Sequence, residues 1–152
     1  MGGMGSGRCS GGGKSTIDDY RLIDVRDWQR EGLIASHKAF TYEWSRGGVV
    51  GASIRVHMHT DSDRAILTYR HQRGRYEWKD ESLSVGFDWT SCNFGGKRPW
   101  FLCPAQGCGR RVAILYCGGI FACRHCYQLT YPSQREARYD RAARRVNRIR
   151  ER

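Results

Sequence analysis

Apolar and polar positions alternate through much of the middle of the chain. Between residues 40 and 89, apolar side chains recur at every second position in short segments, which are separated by turn sequences such as Gly47-Gly48. A period of two predicts half-buried strands joined as an antiparallel meander, and the set predicts a four-stranded sheet with an aromatic-rich core. The positions are Phe40, Tyr42 and Trp44; Ala52, Ile54, Val56 and Met58; Ile66 to Tyr69; and Leu83, Val85, Phe87 and Trp89.

Before the meander, the pattern favours a helix. Ser15 or Thr16 is a suitable N-cap, Asp18 and Asp19 are acids that suit a first helical turn, and Gly32 is a suitable stop. The intervening residues 20–31 carry apolar side chains that form one side of such a helix. We expect this helix to cover the sheet.

The C-terminal segment, residues 133–152, also predicts a helix. Ser133 and Glu136 have the spacing of a capping box, and no glycine or proline follows. A narrow apolar stripe recurs at helical spacing, and a second face is basic. The stripe is Tyr139, Ala142, Ala143, Val146 and Ile149, and the basic face is Arg138, Arg141, Arg145, Arg148 and Arg152.

These elements predict an α+β fold: an N-terminal helix on an antiparallel β-meander, then a small cysteine-rich module, then a basic helix. A length of 152 residues suits one domain with a small appendage. The predicted segments are a flexible glycine-rich arm (1–14), the helix and sheet (15–94), the cysteine module (95–132) and the arginine-rich helix (133–152).

Four cysteines define that module. Cys103 and Cys108, then Cys123 and Cys126 after a gap of fourteen residues, have the paired spacing of a tetrahedral zinc site. The gap contains two apolar segments around Gly118-Gly119, which predicts a hairpin that brings the two pairs together. The prediction is a zinc ribbon with one structural Zn²⁺.

Two disulfides, or thiols that only pack in a core, are the alternatives to a metal site. Disulfide frameworks belong to small secreted domains, whereas this chain shows no signal peptide and has an odd count of seven cysteines. We therefore expect a reducing, cytoplasmic setting, with Cys9, Cys92 and Cys117 as spare thiols. No apolar run approaches a membrane span.

Charge is distributed unevenly. The net charge is +11, and residues 97–152 hold 13 Lys and Arg against 3 Asp and Glu, a net of +10. Such asymmetry favours a polyanionic partner, and we expect nucleic acid, DNA rather than RNA. The predicted contacts are Lys97, Arg98, Arg110, Arg111 and Arg124 around the ribbon, and Arg138, Arg141, Arg145, Arg148 and Arg152 on the helix.

Other interpretations of these features stay open. The basic helix could be a solvated face, or it could bind an acidic protein. His57 and His59 share one face of a strand but have no third ligand, so a polar surface is expected. No spacing indicates a catalytic set, and we do not expect an enzyme. Five carboxylates around loops could in principle hold Mg²⁺: Asp61, Asp63, Asp80, Glu81 and Asp88.

Several segments carry a resemblance to known proteins. Residues 95–104, 108–116 and 121–134, with Met4-Gly-Ser-Gly-Arg8, resemble a family of small, largely uncharacterised bacterial proteins often found with phages and other mobile elements. The cysteine block from Arg98 to Tyr131 is similar to the zinc ribbons of transcription factors and transposases. The ribbon resemblance implies a metal-held scaffold that contacts DNA, RNA or the proteins acting on them.

The sequence thus predicts a zinc-stabilised nucleic-acid-binding protein, an accessory or regulatory factor of a mobile element. The alternative is a protein-interaction module, such as a phage inhibitor of the anti-defence or anti-CRISPR type, which uses the same basic face on a host nucleic-acid machine.

Overall fold

The computed structural model describes residues 14–34, 38–72, 75 and 77–135. The chain forms two compact units, Tyr20–Tyr127 and a second one made of Met1–Asp19 with Gln128–Arg152. Its described residues form nine strands, one short α-helix, α1 (Val25–Arg30), and a 3₁₀ turn, Thr60–Ser62, in the larger unit. The strands are β1 (Arg21–Asp24), β2 (Ala39–Arg46), β3 (Val49–His59), β4 (Arg64–His71), β5 (Lys79–Ser91), β6 (Lys97–Leu102), β7 (Arg111–Val112), β8 (Ile114–Cys117) and β9 (Phe121–Ala122).

Antiparallel sheet dominates the described residues. Strands β2 to β7 follow one another in a six-stranded sheet, in chain order. The alternation seen in the sequence is reproduced in the burial, since Ile54, Val56 and Met58 are buried while their neighbours on β3 are exposed. The meander is therefore confirmed, but it is extended by β6 and β7, so residues 94 and 95 lie in a turn between two paired strands.

The N-terminal helix is shorter than the sequence predicts. Its first half, Arg21–Asp24, is strand β1, which pairs with β8 to begin a second sheet of order β1-β8-β9. The Asp24 carboxylate then caps α1 by accepting a hydrogen bond from the Arg26 N–H at 2.9 Å. The pairing partner lies about ninety residues away, and this long-range pairing overrides the local helical pattern. Gly32, the predicted stop, follows α1 and its C-cap Glu31 with a φ of +66°.

A single aromatic side chain anchors α1 in the core. Trp28 is fully buried, and its ring meets Phe40 and Phe101 edge-on, with centroids 5.4 and 5.1 Å apart. These contacts join the helix to β2 and β6. The buried cluster continues through Phe121 to Cys103 and Cys123, so the cysteine module shares the core of the sheet.

The smaller unit is described for residues 14–19 and 128–135. Thr16 and Thr130 form a parallel bridge. Residues Ile17–Asp19 form a 3₁₀ turn rather than an α-helix, and the Asp19 carboxylate accepts from the Thr16 N–H at 2.8 Å and from its hydroxyl at 2.9 Å. A helical turn, α2 (Pro132–Arg135), begins with proline in its first position, where no backbone N–H is needed. The rest of the predicted basic helix lies outside the described residues. Among described helices, none has the length and apolar character needed to span a bilayer.

Candidate metal centre

Two tight loops present the four cysteines. Cys103 directly follows β6, and its backbone N–H donates to the Arg110 carbonyl at 2.8 Å. Within this loop the Cys108 N–H donates to the Ala105 carbonyl at 2.9 Å, and Gly107 takes a φ of +74° that a glycine tolerates. Cys123 directly follows β9, so the β8–β9 hairpin delivers the second pair to the first.

The sulfur positions match those of a tetrahedral metal site. All four Sγ atoms lie within 4.8 Å of one another, and the closest pairs are 3.6, 3.8 and 3.9 Å apart. A tetrahedron with metal–sulfur bonds of about 2.3 Å has sulfurs about 3.8 Å apart, whereas a disulfide needs about 2.05 Å. The cluster therefore fits one metal ion, and all four cysteines are free. The two predicted pairs do converge.

Hydrogen bonds and burial shift the pKa values of the thiols in different directions. Burial raises the pKa of Cys103, and burial together with the neighbouring thiols raises that of Cys126. The backbone N–H of Arg110 lowers the pKa of Cys108 to about 7. A divalent cation favours all four thiolates, so metal binding here releases protons and weakens as the pH falls.

The β8–β9 turn is fixed by one tyrosine. The Tyr127 hydroxyl donates to the Ile120 carbonyl and accepts from the Gly118 N–H at 3.2 Å. A Cβ atom on Gly118 would lie 2.8 Å from the Tyr127 ring and 2.9 Å from that of Tyr20. The turn thus requires glycine at position 118, because the two rings leave no room for a side chain.

The remaining cysteines in the described residues stay outside the cluster. Cys92 is exposed in the turn between β5 and β6, and Cys117 ends β8 with a pKa that burial raises. His125 lies between two of the ligands but is exposed. Cys9 lies outside the described residues. The four-thiolate set is the only group of three or more His, Cys, Asp or Glu that could hold a metal in the described part of the chain.

The predicted basic contacts around the ribbon are surface residues with different environments. Lys97 and Arg110 are exposed, and Arg98 lies over the Trp100 ring with its guanidinium carbon 4.2 Å from the centroid. Arg111 forms an ion pair with Asp88 at 2.5 Å, which lowers the pKa of that carboxyl. Arg124 is half-buried. Arg138, Arg141, Arg145, Arg148 and Arg152 lie outside the described residues.

The loop carboxylates and the histidine pair do not form a site. Asp80 pairs with Arg70 at 2.9 Å, and Asp63 accepts from the Trp89 indole at 3.1 Å. Each of these acids is therefore engaged with a different neighbour. His57 and His59 are both exposed on the face of β3 opposite the core, as expected of a polar surface.

The larger unit also contains a cleft that the sequence analysis missed, where β3 and β4 diverge and face the β8–β9 turn. Its volume is about 840 Å³, and its lining includes Trp44, Arg55, Arg70 and the turn at Gly118. The cleft is formed by strand pairing between residues that are distant in the chain, and no local sequence pattern predicts such pairing.

Comparison with protein-family models, with curated proteins and with solved structures found no match. The site is therefore interpreted from its own geometry.

Proposed function

We propose that this protein is a zinc-stabilised nucleic-acid-binding protein, with DNA as the preferred partner, that acts as an accessory or regulatory factor of a bacterial mobile element. The zinc ion is structural. It holds the loop after β6 against the loop after β9 and so shapes the basic surface around them.

Zinc is the metal that best suits the donor set. Four thiolates in a tetrahedral arrangement are typical of structural zinc, which has no redox chemistry and no open coordination position when it is bound by four cysteines. The near-complete burial of Cys103 and Cys123 agrees with a closed structural site rather than a catalytic one.

The observation that carries the nucleic-acid proposal is the coincidence of this metal centre with the basic part of the chain. Residues 97–152 contribute +10 of the net charge of +11. Two cations are next to ligands in the chain, Arg110 shortly after Cys108 and Arg124 between the last two cysteines, and β6, which leads to Cys103, carries Lys97 and Arg98. Phosphate contacts of this kind supply most sequence-independent affinity.

Paired charge variants test the proposal. Lys97→Ala with Arg110→Ala removes two exposed cations from the cysteine module, residues 95–132, whereas Arg46→Ala with Arg64→Ala removes two exposed cations from β2 and β4. Fluorescence anisotropy with labelled duplex DNA across a salt series gives the slope of log affinity against log salt. The first pair should lower that slope by about two units, at about 0.9 per phosphate contact.

The control pair should leave the slope unchanged. Equal slopes for both variants and the wild type would remove the metal-centre surface from the model. A stable stoichiometric complex with an acidic protein, formed while duplex DNA is not bound, would favour the protein-interaction alternative.

A further inference from the structure

The six-stranded sheet splits between β3 and β4. The pairing of β3 with β4 begins next to their turn, where His59 pairs with Arg64. It ends four residues further along, where Arg55 pairs with Thr68. Beyond this point β3 continues along β2 as far as Val49, while β4 continues along β5 as far as His71. The two halves of the sheet therefore diverge, and no described strand pairs with the facing edges.

The cleft of about 840 Å³ occupies this fork, and the β8–β9 turn forms its far wall. Its volume lies within the range of about 300–1,000 Å³ that is usual for small-molecule sites. The backbone edges of β3 and β4 add hydrogen-bonding groups to its walls. The fork is thus large enough for a nucleotide-sized group and polar enough to orient it.

The charge of the cleft is positive. Arg21, Arg55 and Arg70 line it and are exposed, and the one carboxylate in the lining, Asp80, pairs with Arg70 at 2.9 Å. Arginine guanidinium groups bind phosphate oxygens through paired donors. The cleft therefore favours an anionic ligand.

Two tryptophans supply aromatic surface. Trp44 is held in one orientation, because its indole N–H donates to the Leu22 carbonyl at 2.8 Å. Trp78 is 58% exposed, and the Arg70 guanidinium lies over its ring at 5.9 Å. An exposed indole beside arginines offers a face on which a base can stack irrespective of sequence.

One lining residue also contains a buried polar atom. The Nδ1 atom of His71, a lining residue, is buried without a hydrogen-bond partner among the described residues. Buried polar atoms are normally paired, so this one is an unsatisfied polar atom within a residue of the cleft wall. Its other ring nitrogen lies near Gly119, where an added Cβ would be 3.6 Å away.

We propose that the cleft binds an unpaired nucleotide of a single strand, with its base stacked on tryptophan and its phosphate held by arginine. This inference rests on the proposed nucleic-acid function and names a second ligand class for it, on a surface separate from the metal centre. An acidic peptide would satisfy the arginines but would leave the exposed indole uncovered, so the observations favour the nucleotide.

The test uses the metal-loaded full chain and labelled oligo(dT), with unlabelled dTMP, duplex DNA and polyglutamate as competitors. Trp78→Ala should weaken oligo(dT) binding about fivefold to a hundredfold, as expected for the loss of one stacked base. Phe94→Ala is the matched control, because Phe94 is a fully exposed aromatic that does not line the cleft.

A second variant tests the charge. Arg55→Ala should lower the salt slope for oligo(dT) by about 0.7, the value for one phosphate contact on a single strand, while Arg46→Ala should leave it unchanged. Both mutated side chains are exposed on the β2–β3 hairpin, so neither variant is expected to disturb the core. Thermal melting of all four variants checks this.

The outcomes separate this inference from the proposed function. If the duplex still binds with a steep salt slope while Trp78→Ala and Arg55→Ala leave oligo(dT) binding unchanged, the cleft proposal is wrong and the broader function stands. Competition by dTMP as strong as that by the oligonucleotide would assign the site to free nucleotides and overturn the single-strand ligand. Displacement of oligo(dT) by polyglutamate alone, or no oligo(dT) binding at all, would also overturn the proposal.

Discussion

Replacement of one metal ligand, Cys123→Ser, should destabilise the larger unit far more than replacement of a spare cysteine. Cys123 is fully buried, and with Cys103 it belongs to the same core cluster as Phe101 and Phe121. Loss of the metal therefore removes a cross-link at the point where the β8–β9 hairpin joins the six-stranded sheet. Cys92→Ser is the matched control, because Cys92 is exposed and outside the cluster.

The expected magnitude is large. Structural zinc contributes about 10–16 kcal/mol of apparent binding free energy in small metal-held units, which is comparable to the whole stability, about 5–15 kcal/mol, of an ordinary domain. Because the sheet has its own core, the cysteine loops can open locally while the sheet stays folded. Only part of the zinc-binding free energy is then lost from the global stability of the unit. If even about 5 kcal/mol is lost from the cooperative unit, its melting temperature falls by about 20 °C.

Thermal melting with and without a chelator is the assay, and metal content is measured on the same samples. The wild type and Cys92→Ser should each carry one zinc and lose a similar amount of stability on chelation. Cys123→Ser should melt at a low temperature already, and the chelator should lower it no further. If the effects of the mutation and of the chelator are not additive, the mutant is unstable because it has lost the metal, and not only because a serine hydroxyl is buried.

Retention of one zinc by Cys123→Ser, with melting within about 5 °C of Cys92→Ser, would refute the assignment of this ligand. Hydrogen exchange gives a second check. Amides of β8 and β9 should lose protection on chelation, while those of the β3–β4 pairing should keep more of theirs.

Three further predictions follow from single contacts. Burial tends to raise the pKa of Asp24, but its hydrogen bonds with Arg26 give a net value below the usual 3.8, so its stabilisation is present at neutral pH and is lost as the pH falls below about 4. Because asparagine keeps the cap and loses only the charge, Asp24→Asn should cost up to about 1 kcal/mol in urea unfolding at pH 7 and progressively less as the pH falls through the lowered pKa, and a cost that does not change with pH would contradict this. Asp88→Asn should tighten duplex binding, since it releases Arg111 from its ion pair; weaker binding by a folded variant would contradict the phosphate role. Gly118→Ala should lower the melting temperature because two tyrosine rings occupy the space of its Cβ, and an unchanged melting temperature would show that the turn can shift.

Local patterns were sufficient for the meander and for the metal centre. The period of two on β3 and β5 marks the buried face directly, because side chains of a strand alternate between faces. The cysteine spacing and Gly118-Gly119 indicate a hairpin that brings two thiol pairs together, and the four sulfurs do converge. Both features depend on residues close together in the chain.

Long-range pairing explains what the sequence did not predict. The segment Arg21–Asp24 satisfies helical periodicity, yet it pairs with β8, a strand far along the chain. The apolar segment before Gly118-Gly119, which predicts one strand of the ribbon hairpin, is likewise divided at Ala113. The Ala113 carbonyl accepts from the Val25 N–H at 3.0 Å, and the strands on either side of it, β7 and β8, belong to different sheets. The fork between β3 and β4 forms because β3 continues to pair with β2 while β4 continues to pair with β5. No local sequence pattern encodes where the pairing of β3 with β4 ends.

The measurement that tests the central claim most directly is duplex DNA binding by the metal-loaded protein over a salt series, with zinc content determined on the same sample. The account predicts one zinc per chain and an affinity that falls by about a thousandfold between about 50 and 200 mM salt, with binding strongly reduced when residues 133–152 are removed. One zinc per chain with no duplex binding at low salt would contradict the nucleic-acid function and leave the metal centre in place.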